Sequence, residues 1–258
     1  YISYILLRSN LWPKTAPLSP DLQEFNWSMI LDVFKSILPP VFLILAVLGS
    51  IFAGITTPTE ASGVGAFGAI LLAAYNKKLN FSVLKEVTYA AFKTTAYIFA
   101  IFLGATCFAL VLRELGGDEL VERAITGLPF DKYGILIFIL IIVFLLGFLL
   151  DWIEITLIIL PLLSPIVDGL GFEIEGFGAM DEPDLIWFTL LVAVALQTSF
   201  LTPPVGFALF YLKGVCPPEI KMVDIYKGVA PFIILQLIGL TLVILFPTLV
   251  TWLPSVAY

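Results

Sequence analysis

Runs of apolar residues long enough to cross a bilayer recur along this chain, and no other feature constrains its fold as tightly. They cover residues 37–55, a second run to Tyr75, 94–112, 135–150, an arm reaching Val167, 185–212 and 229–250. A helix needs about 20 such residues to span the hydrocarbon core. Charged side chains make up only 13% of the chain and hydrophobic ones 60%, whereas a soluble domain carries about 25% charge. A lipid-facing barrel would alternate polar and apolar residues in short segments instead. The sequence therefore predicts an all-α polytopic membrane protein.

Charge and composition exclude several functions. A net charge of −7 has the wrong sign for a nucleic-acid partner. The chain has no histidine, so a His-based metal site, triad or proton relay cannot be built from it. Neither a transition metal nor a cofactor is expected. Cys107 and Cys216 read as small apolar fillers rather than a disulfide framework. The opening residues, "YISYILLRSN", read as the tail of a helix already under way, and an N-terminal part is expected to be missing.

The polarity pattern divides the chain into segments. Residues 1–36 read as the end of a preceding helix and an interfacial loop, 37–112 as transmembrane helices, and 113–134 as a polar connector. Residues 135–167 are two apolar arms around "DWIEIT". Residues 168–184 form a connector with six acids and no Lys or Arg, 185–212 a broken transmembrane helix, and 213–258 the last transmembrane helix and tail. Loops rich in Lys and Arg stay in the cytoplasm. That places 76–93 and 213–228 inside, the acidic connector outside, and the C-terminus in the periplasm. The span 94–112 then ends outside, where the connector after 167 also lies. The stretch 135–167 must therefore enter and leave on one face. Its arms are each about 15 residues, short for a crossing, which favours a re-entrant hairpin with "DWIEIT" at its tip over two cramped spans.

Three polar breaks interrupt the apolar runs. In "QTSFLTPPVGF", Pro203 and Pro204 remove two amide donors and disfavour helical backbone at the residues before them. Carbonyls from Gln197 to Phe200 lose their usual partners. With the hydroxyls of Thr198, Ser199 and Thr202 they make an all-oxygen environment suited to a hard cation. The half-helix after Pro204, beginning near Gly206, turns its positive end toward the same place, which suits an anion. Secondary transporters build midplane sites in this way. In "DWIEIT", Asp151 and Glu154 are carboxylates that are costly at membrane depth and functional by default, unless the tip reaches solvent. Thr156, one turn on, can add an oxygen. In "GITTPTEASG", from Gly54, Thr57 precedes Pro58, and Thr59 is expected to cap a helix starting at Glu60 or Ala61. A capped interfacial turn accounts for this third break without a ligand.

At these residues the chain resembles a known family. "GITTPTEASGVGAF", "GFLLDWIEITLIILPLLSPIV" and "LTPPVGFALFYLKGV", in this order along essentially the whole chain, resemble the large membrane subunit of tripartite ATP-independent periplasmic (TRAP) transporters. The resemblance implies sodium-driven uptake of an organic acid in the bacterial inner membrane, with no enzyme activity. It also implies two partners, a periplasmic substrate-binding protein and a small four-helix membrane subunit. The fold it implies is half of an inverted-repeat elevator transporter. In that fold 37–112 is scaffold, while the 135–167 hairpin and the 185–212 broken helix form the mobile transport domain. Thr198, Ser199, Thr202, Asp151 and Thr156 are then candidate sodium ligands, and Gln197, Pro203, Pro204, Gly206 and Glu154 candidate substrate contacts. Gly54, Thr57, Pro58, Thr59 and Glu60 carry the other motif. Many members read Asp-Pro-Thr-Ala-Ala at the hairpin tip. Here only Asp151 matches, and Glu154 has no counterpart. The Trp-Ile-Glu form is similar to a subgroup associated with 2-oxo acid or related carboxylate uptake.

Broken helices alone also fit a dicarboxylate or citrate carrier that works without a binding protein. An intramembrane aspartyl protease would need a second Asp facing Asp151, and none lies at comparable depth. The topology has a direct test. With the two native cysteines replaced, Asp118→Cys and Glu175→Cys should both react with an impermeant thiol reagent added from outside; protection of one of them would convert the hairpin into a crossing.

Overall fold

The computed structural model describes residues 1–13, 27–176, 182–203, 206–217 and 219–257. All regular structure among them is helical. Five helices are long and apolar enough to cross a membrane: Val33–Phe52, Phe81–Glu114, Trp152–Gly169, Pro183–Leu201 and Met222–Leu245. The chain divides into two units, residues 1–91 with 257–258, and residues 92–256.

In the first unit, α1 (Ile2–Leu11) precedes a helical pair, α2 (Trp27–Phe52) and α3 (Pro58–Tyr75). Helix α2 starts ahead of the apolar run at 37. The pair packs closely because glycines face it. A methyl group on Gly65 would lie 3.2 Å from Val47, and one on Gly68 would collide with Leu43. Small residues allow such approach where lipid, not water, surrounds the helices. The turn between them needs Gly54, whose φ of 64° is left-handed and unfavourable for other residues. Thr57, not Thr59, caps α3. Its side chain accepts from the Glu60 amide while the Glu60 carboxylate accepts from Thr57 N at 2.9 Å. Pro58 occupies the first helical position, where its missing N–H matters least, and this moves the cap two residues upstream of the expected one.

Helix α4 (Phe81–Glu114) leads into the second unit, which continues with the short amphipathic α5 (Gly117–Thr126). Then come α6 (Lys132–Leu146), a turn at 147–151, α7 (Trp152–Glu154), a π-helical segment Ile155–Ile159, and α8 (Leu160–Gly169). Together these form a helical hairpin. The first arm has 15 residues, about 22 Å at a rise of ~1.5 Å per residue, short of the ~30 Å hydrocarbon core. The second arm is longer than its apolar run because the helix already begins at Trp152. The open ends of the hairpin meet. Lys132 Nζ donates to the Gly171 carbonyl at 3.2 Å, and Tyr133 packs edge-on against Phe172 at 5.3 Å. The stretch thus starts and finishes at one end of the unit.

Helix α9 (Pro183–Leu201) is the centre of this unit. It packs against α6, α8, α10 (Phe207–Val215) and α11 (Met222–Leu245), and α12 (Thr248–Ala257) follows. Its inner face, Trp187, Phe188, Leu191, Val192, Ala195 and Leu196, forms one core with Leu136, Ile139 and Val143 of α6 and Leu163 and Val167 of α8. Trp187 is fully buried, stacks edge-on against Phe172, and donates its indole N–H to the Val243 carbonyl at 2.8 Å. That carbonyl would ordinarily bond the amide of residue 247, which is Pro247 and has none. The tryptophan supplies the missing donor and fastens α11 to α9. Trp187→Phe keeps most of the volume but leaves the Val243 carbonyl unpaired, and should cost about 1–3 kcal/mol, read as a lowered melting temperature in detergent. An unchanged melting temperature would show that the bond carries no stability.

Candidate functional site

The break lies where α9 ends at Leu201. Thr202 is extended, with φ −94° and ψ 127°, as a residue before proline should be. Its amide turns back to the Ser199 carbonyl at 3.0 Å. Its hydroxyl donates to the Thr198 carbonyl at 2.7 Å, and the Thr198 hydroxyl donates to Val194 at 2.8 Å. The Thr202 amide thus serves the Ser199 carbonyl, which Pro203 leaves without its donor, and the Thr202 hydroxyl serves the Thr198 carbonyl in place of that amide. Each threonine oxygen still keeps lone pairs that can face a ligand. Ser199 differs. It is 1% exposed, and its hydroxyl has no hydrogen-bond partner among the described residues.

The hairpin tip meets this segment directly. A Cβ added to Gly147, at the end of α6, would lie 2.7 Å from Ser199 Oγ and 2.9 Å from Ser199 Cβ. Glycine is therefore required for the tip to sit against the break. Gly206, which opens α10, has the same function on the far side. A methyl there would lie 3.0 Å from the Phe200 carbonyl oxygen, and its amide donates to Thr202 at 3.2 Å. No side chain caps α10; the Leu209 amide closes its first turn on the Gly206 carbonyl at 2.8 Å. Pro203 is half-buried; Pro204 lies outside the described residues.

The acids at the tip are engaged locally. Asp151 Oδ1 accepts from the Trp152 amide at 2.8 Å, and Glu154 Oε2 accepts from the Asp151 amide at 3.3 Å. This is a capping box, the arrangement that Thr57 and Glu60 form at α3. Glu154 therefore has a structural role that explains its presence in this tip sequence. Thr156 bonds back to the Trp152 carbonyl at 2.7 Å. It lines a groove of about 300 Å³ with Trp152, Gln197 and Phe200, so the second arm and the exposed Gln197 share one surface. Asp151 and Glu154 make no bond to Thr198, Ser199 or Thr202. Among the described residues no group of three or more His, Cys, Asp or Glu could hold a metal, and both cysteines are free. A second, apolar cavity of about 600 Å³ lies between α6, α9 and α11, with Thr198 in its wall.

The sequence reading overlooked Gln236. It is 7% exposed in α11, and neither its amide nitrogen nor its oxygen has a partner among the described residues. The available signal was a lone carboxamide inside an otherwise apolar run.

A helical hairpin whose tip rests on a proline-broken helix, inside a multi-helix membrane protein, defines a secondary-transporter-like permease. The sequence matches the family described as tripartite ATP-independent periplasmic transporter, DctM component, over residues 4–249, and the chain belongs to that family. It is 26% identical to the uncharacterized protein YgiK of Salmonella typhimurium, covering 92% of this chain and 51% of that protein. It is 28% identical to the isethionate TRAP transporter permease protein DctMQ of Oleidesulfovibrio alaskensis, covering 83% and 30%. It is also 28% identical to the sialic acid TRAP transporter large permease protein SiaM of Vibrio cholerae, covering 98% and 55%. The chain spans about half the length or less of these relatives. The two with assigned roles are named as permeases, not enzymes.

The contact between Gly147 and Ser199 can be tested as a pair. Gly147→Ala should destabilise the protein by about 1–3 kcal/mol through overpacking. Ser199→Gly, which removes both atoms that the new methyl would strike, should restore most of the loss. Additive effects of the two changes in thermal unfolding would show that the tip does not press on this serine.

Proposed function

We propose that this chain forms part of the large permease subunit of a sodium-coupled importer of an organic acid in the bacterial inner membrane. A periplasmic binding protein delivers the substrate, and a small four-helix membrane subunit braces the permease. The C-terminus faces the periplasm. The hairpin, re-entrant from the periplasmic face, and the broken helix move together as the transport domain of an elevator.

The observation that carries this reading is the buried, unpartnered hydroxyl of Ser199, held against Gly147 beside a backbone that two prolines have interrupted. An orphan hydroxyl in a membrane-buried site costs about 1–3 kcal/mol, and a cation that accepts its lone pair relieves that cost. Thr198 and Thr202 donate their hydrogens to carbonyls and so offer only oxygen lone pairs to a ligand, the chemistry Na⁺ requires. Asp151 and Thr156 are the oxygens the tip can contribute, since a carboxylate holding one amide keeps further acceptor sites. The uncapped start of α10 at Gly206, with Pro203 and Pro204 before it, suits the anionic end of the substrate. Gln197 lies on the groove beside it, and Glu154 borders the tip. Two relatives are named for isethionate and sialic acid; both compounds are anions, which agrees with a positive helix end as the receiving group. Membership in a family of tripartite transporters supports delivery by a binding protein over the carrier that works alone.

The experiment is uptake of labelled organic acid into liposomes holding the full-length subunit, its small membrane partner and the binding protein. Uptake should require an inward sodium gradient. Ser199→Ala and Thr202→Ala should raise the half-saturating sodium concentration about tenfold, the equivalent of ~1.4 kcal/mol of lost ligation. Uptake that proceeds equally in potassium sinks the proposal.

A further inference from the structure

The turn from α3 to α4 concentrates positive charge on an acidic chain. Residues 76–91 carry Lys77, Lys78 and Lys85 against one acid, Glu86, a local charge of +2, whereas the whole chain carries −7. All three lysines are exposed. None of their side chains has an ion pair or hydrogen bond among the described residues.

Lys77 stands where glycine is usual. Helix α3 closes with two bonds: the Lys77 amide donates to the Ala74 carbonyl and the Lys78 amide to the Ala73 carbonyl, each at 2.9 Å. This closure needs a left-handed residue at position 77, and glycine fits it best. Lys77 takes it with φ 56°. The rule that orients a membrane protein counts Lys and Arg over a whole loop, so orientation alone does not call for a lysine at this one strained position. The charge at residue 77 answers to something outside the turn.

The neighbouring residues mark the level of the lipid headgroups. Tyr75 ends the apolar run of α3 and is 84% exposed; Phe81 opens α4 and is 82% exposed. On α4, Phe81, Lys85 and Tyr89 follow at four-residue spacing as one exposed row along the helix. Aromatic and basic side chains together are the composition of a membrane–water interface. Helix α4 has 34 residues, about 51 Å at ~1.5 Å each, well beyond the ~30 Å hydrocarbon core. Its polar first turns, which precede the apolar run 94–112, therefore lie outside that core.

We propose that Lys77, Lys78 and Lys85 bind the phosphates of anionic phospholipids and so hold the α3–α4 turn at headgroup depth. The occupant is the lipid and not a soluble phosphate, because Tyr75 and Phe81 offer apolar surface beside the charge that only a lipid can cover. The inference needs the chain to be a membrane protein and stands apart from sodium coupling.

The test follows the melting temperature of the full-length protein in neutral detergent during titration with phosphatidylglycerol. Phosphatidylglycerol should raise it, and phosphatidylcholine or inorganic phosphate should not. Lys77→Gly removes one charge and suits the left-handed backbone. It should melt higher than the native protein without lipid, yet need about fivefold more phosphatidylglycerol for the half-maximal shift, the share of one lysine beside an anionic surface. Adding Lys78→Gln and Lys85→Gln should raise that midpoint at least about tenfold. A comparison protein carries Lys213→Gln, Lys221→Gln and Lys227→Gln. It loses the same charge from a loop where two acids, Glu219 and Asp224, interleave the lysines and Lys213 is already bonded to the Ile220 carbonyl. Its midpoint should stay within about twofold of native. A triple Lys77, Lys78 and Lys85 variant that titrates as the native protein does, or a comparison protein that loses as much, overturns the proposal. So does a Lys77→Gly protein that melts lower without lipid, since the lysine would then serve its own turn. Equal stabilisation by phosphatidylcholine, or by inorganic phosphate, would also sink it.

Discussion

Inside a bilayer no water is available to bond a backbone amide or carbonyl, so each must find its partner within the protein. Helix α9 is built around a deliberate exception. Two prolines end its hydrogen-bond ladder, and the neighbourhood is arranged to manage the consequences. The hydroxyl of Thr202 serves the Thr198 carbonyl, whose usual amide has moved. The Thr202 amide turns back to Ser199. Gly147 and Gly206 leave no side chain between the break and its surroundings. Among the described residues three buried side chains are left without a partner: Ser199 on α9, Gln236 on α11 and Thr251 on α12. Of these, Ser199 is the one that lies at the break itself.

The same solution to a helix start is used twice. Thr57 with Glu60 and Asp151 with Glu154 each close a capping box, satisfying amides at the beginning of an apolar helix. At α3 the box stands after a left-handed glycine and a proline; at the hairpin tip it precedes a π-helical segment. Such segments are frequent at functional sites. The tip carboxylates thereby hold the second arm in place, and any ion ligation by Asp151 shares the carboxylate with this structural bond.

Packing in the second unit depends on an aromatic junction at the end opposite the break. Tyr133, Phe172 and Trp187 contact in sequence, Lys132 lies 5.4 Å over the Phe172 ring, and the Trp187 indole compensates for Pro247 by bonding Val243. The hairpin's two ends, α9 and α11 are thus tied at one level. That tie fixes the register by which Ser199 reaches Gly147.

Much of this was legible in the sequence, because it depends on local chemistry. Hydrophobic runs of the right length define membrane helices. Prolines act within one turn, so the broken helix after Leu201 and the extended Thr202 follow from "LTPPVG" alone. The spacing of Asp151 and Glu154 carries a capping signature as well as a pair of carboxylates. Thr57 rather than the expected Thr59 caps α3 because Pro58 stands as the first helical residue. The rotation of each helix against its neighbours was not legible. Only tertiary packing turns Ser199 toward Gly147 and leaves its hydroxyl without a partner. Only packing against α9 makes Gln236 a buried, unpaired amide instead of a polar residue at the lipid surface. Residue order determines where a membrane helix breaks, because the backbone bonds at stake lie within one turn. Which polar groups are left to bind a ligand was decided by the tertiary structure, because that depends on which face of each helix its neighbours cover.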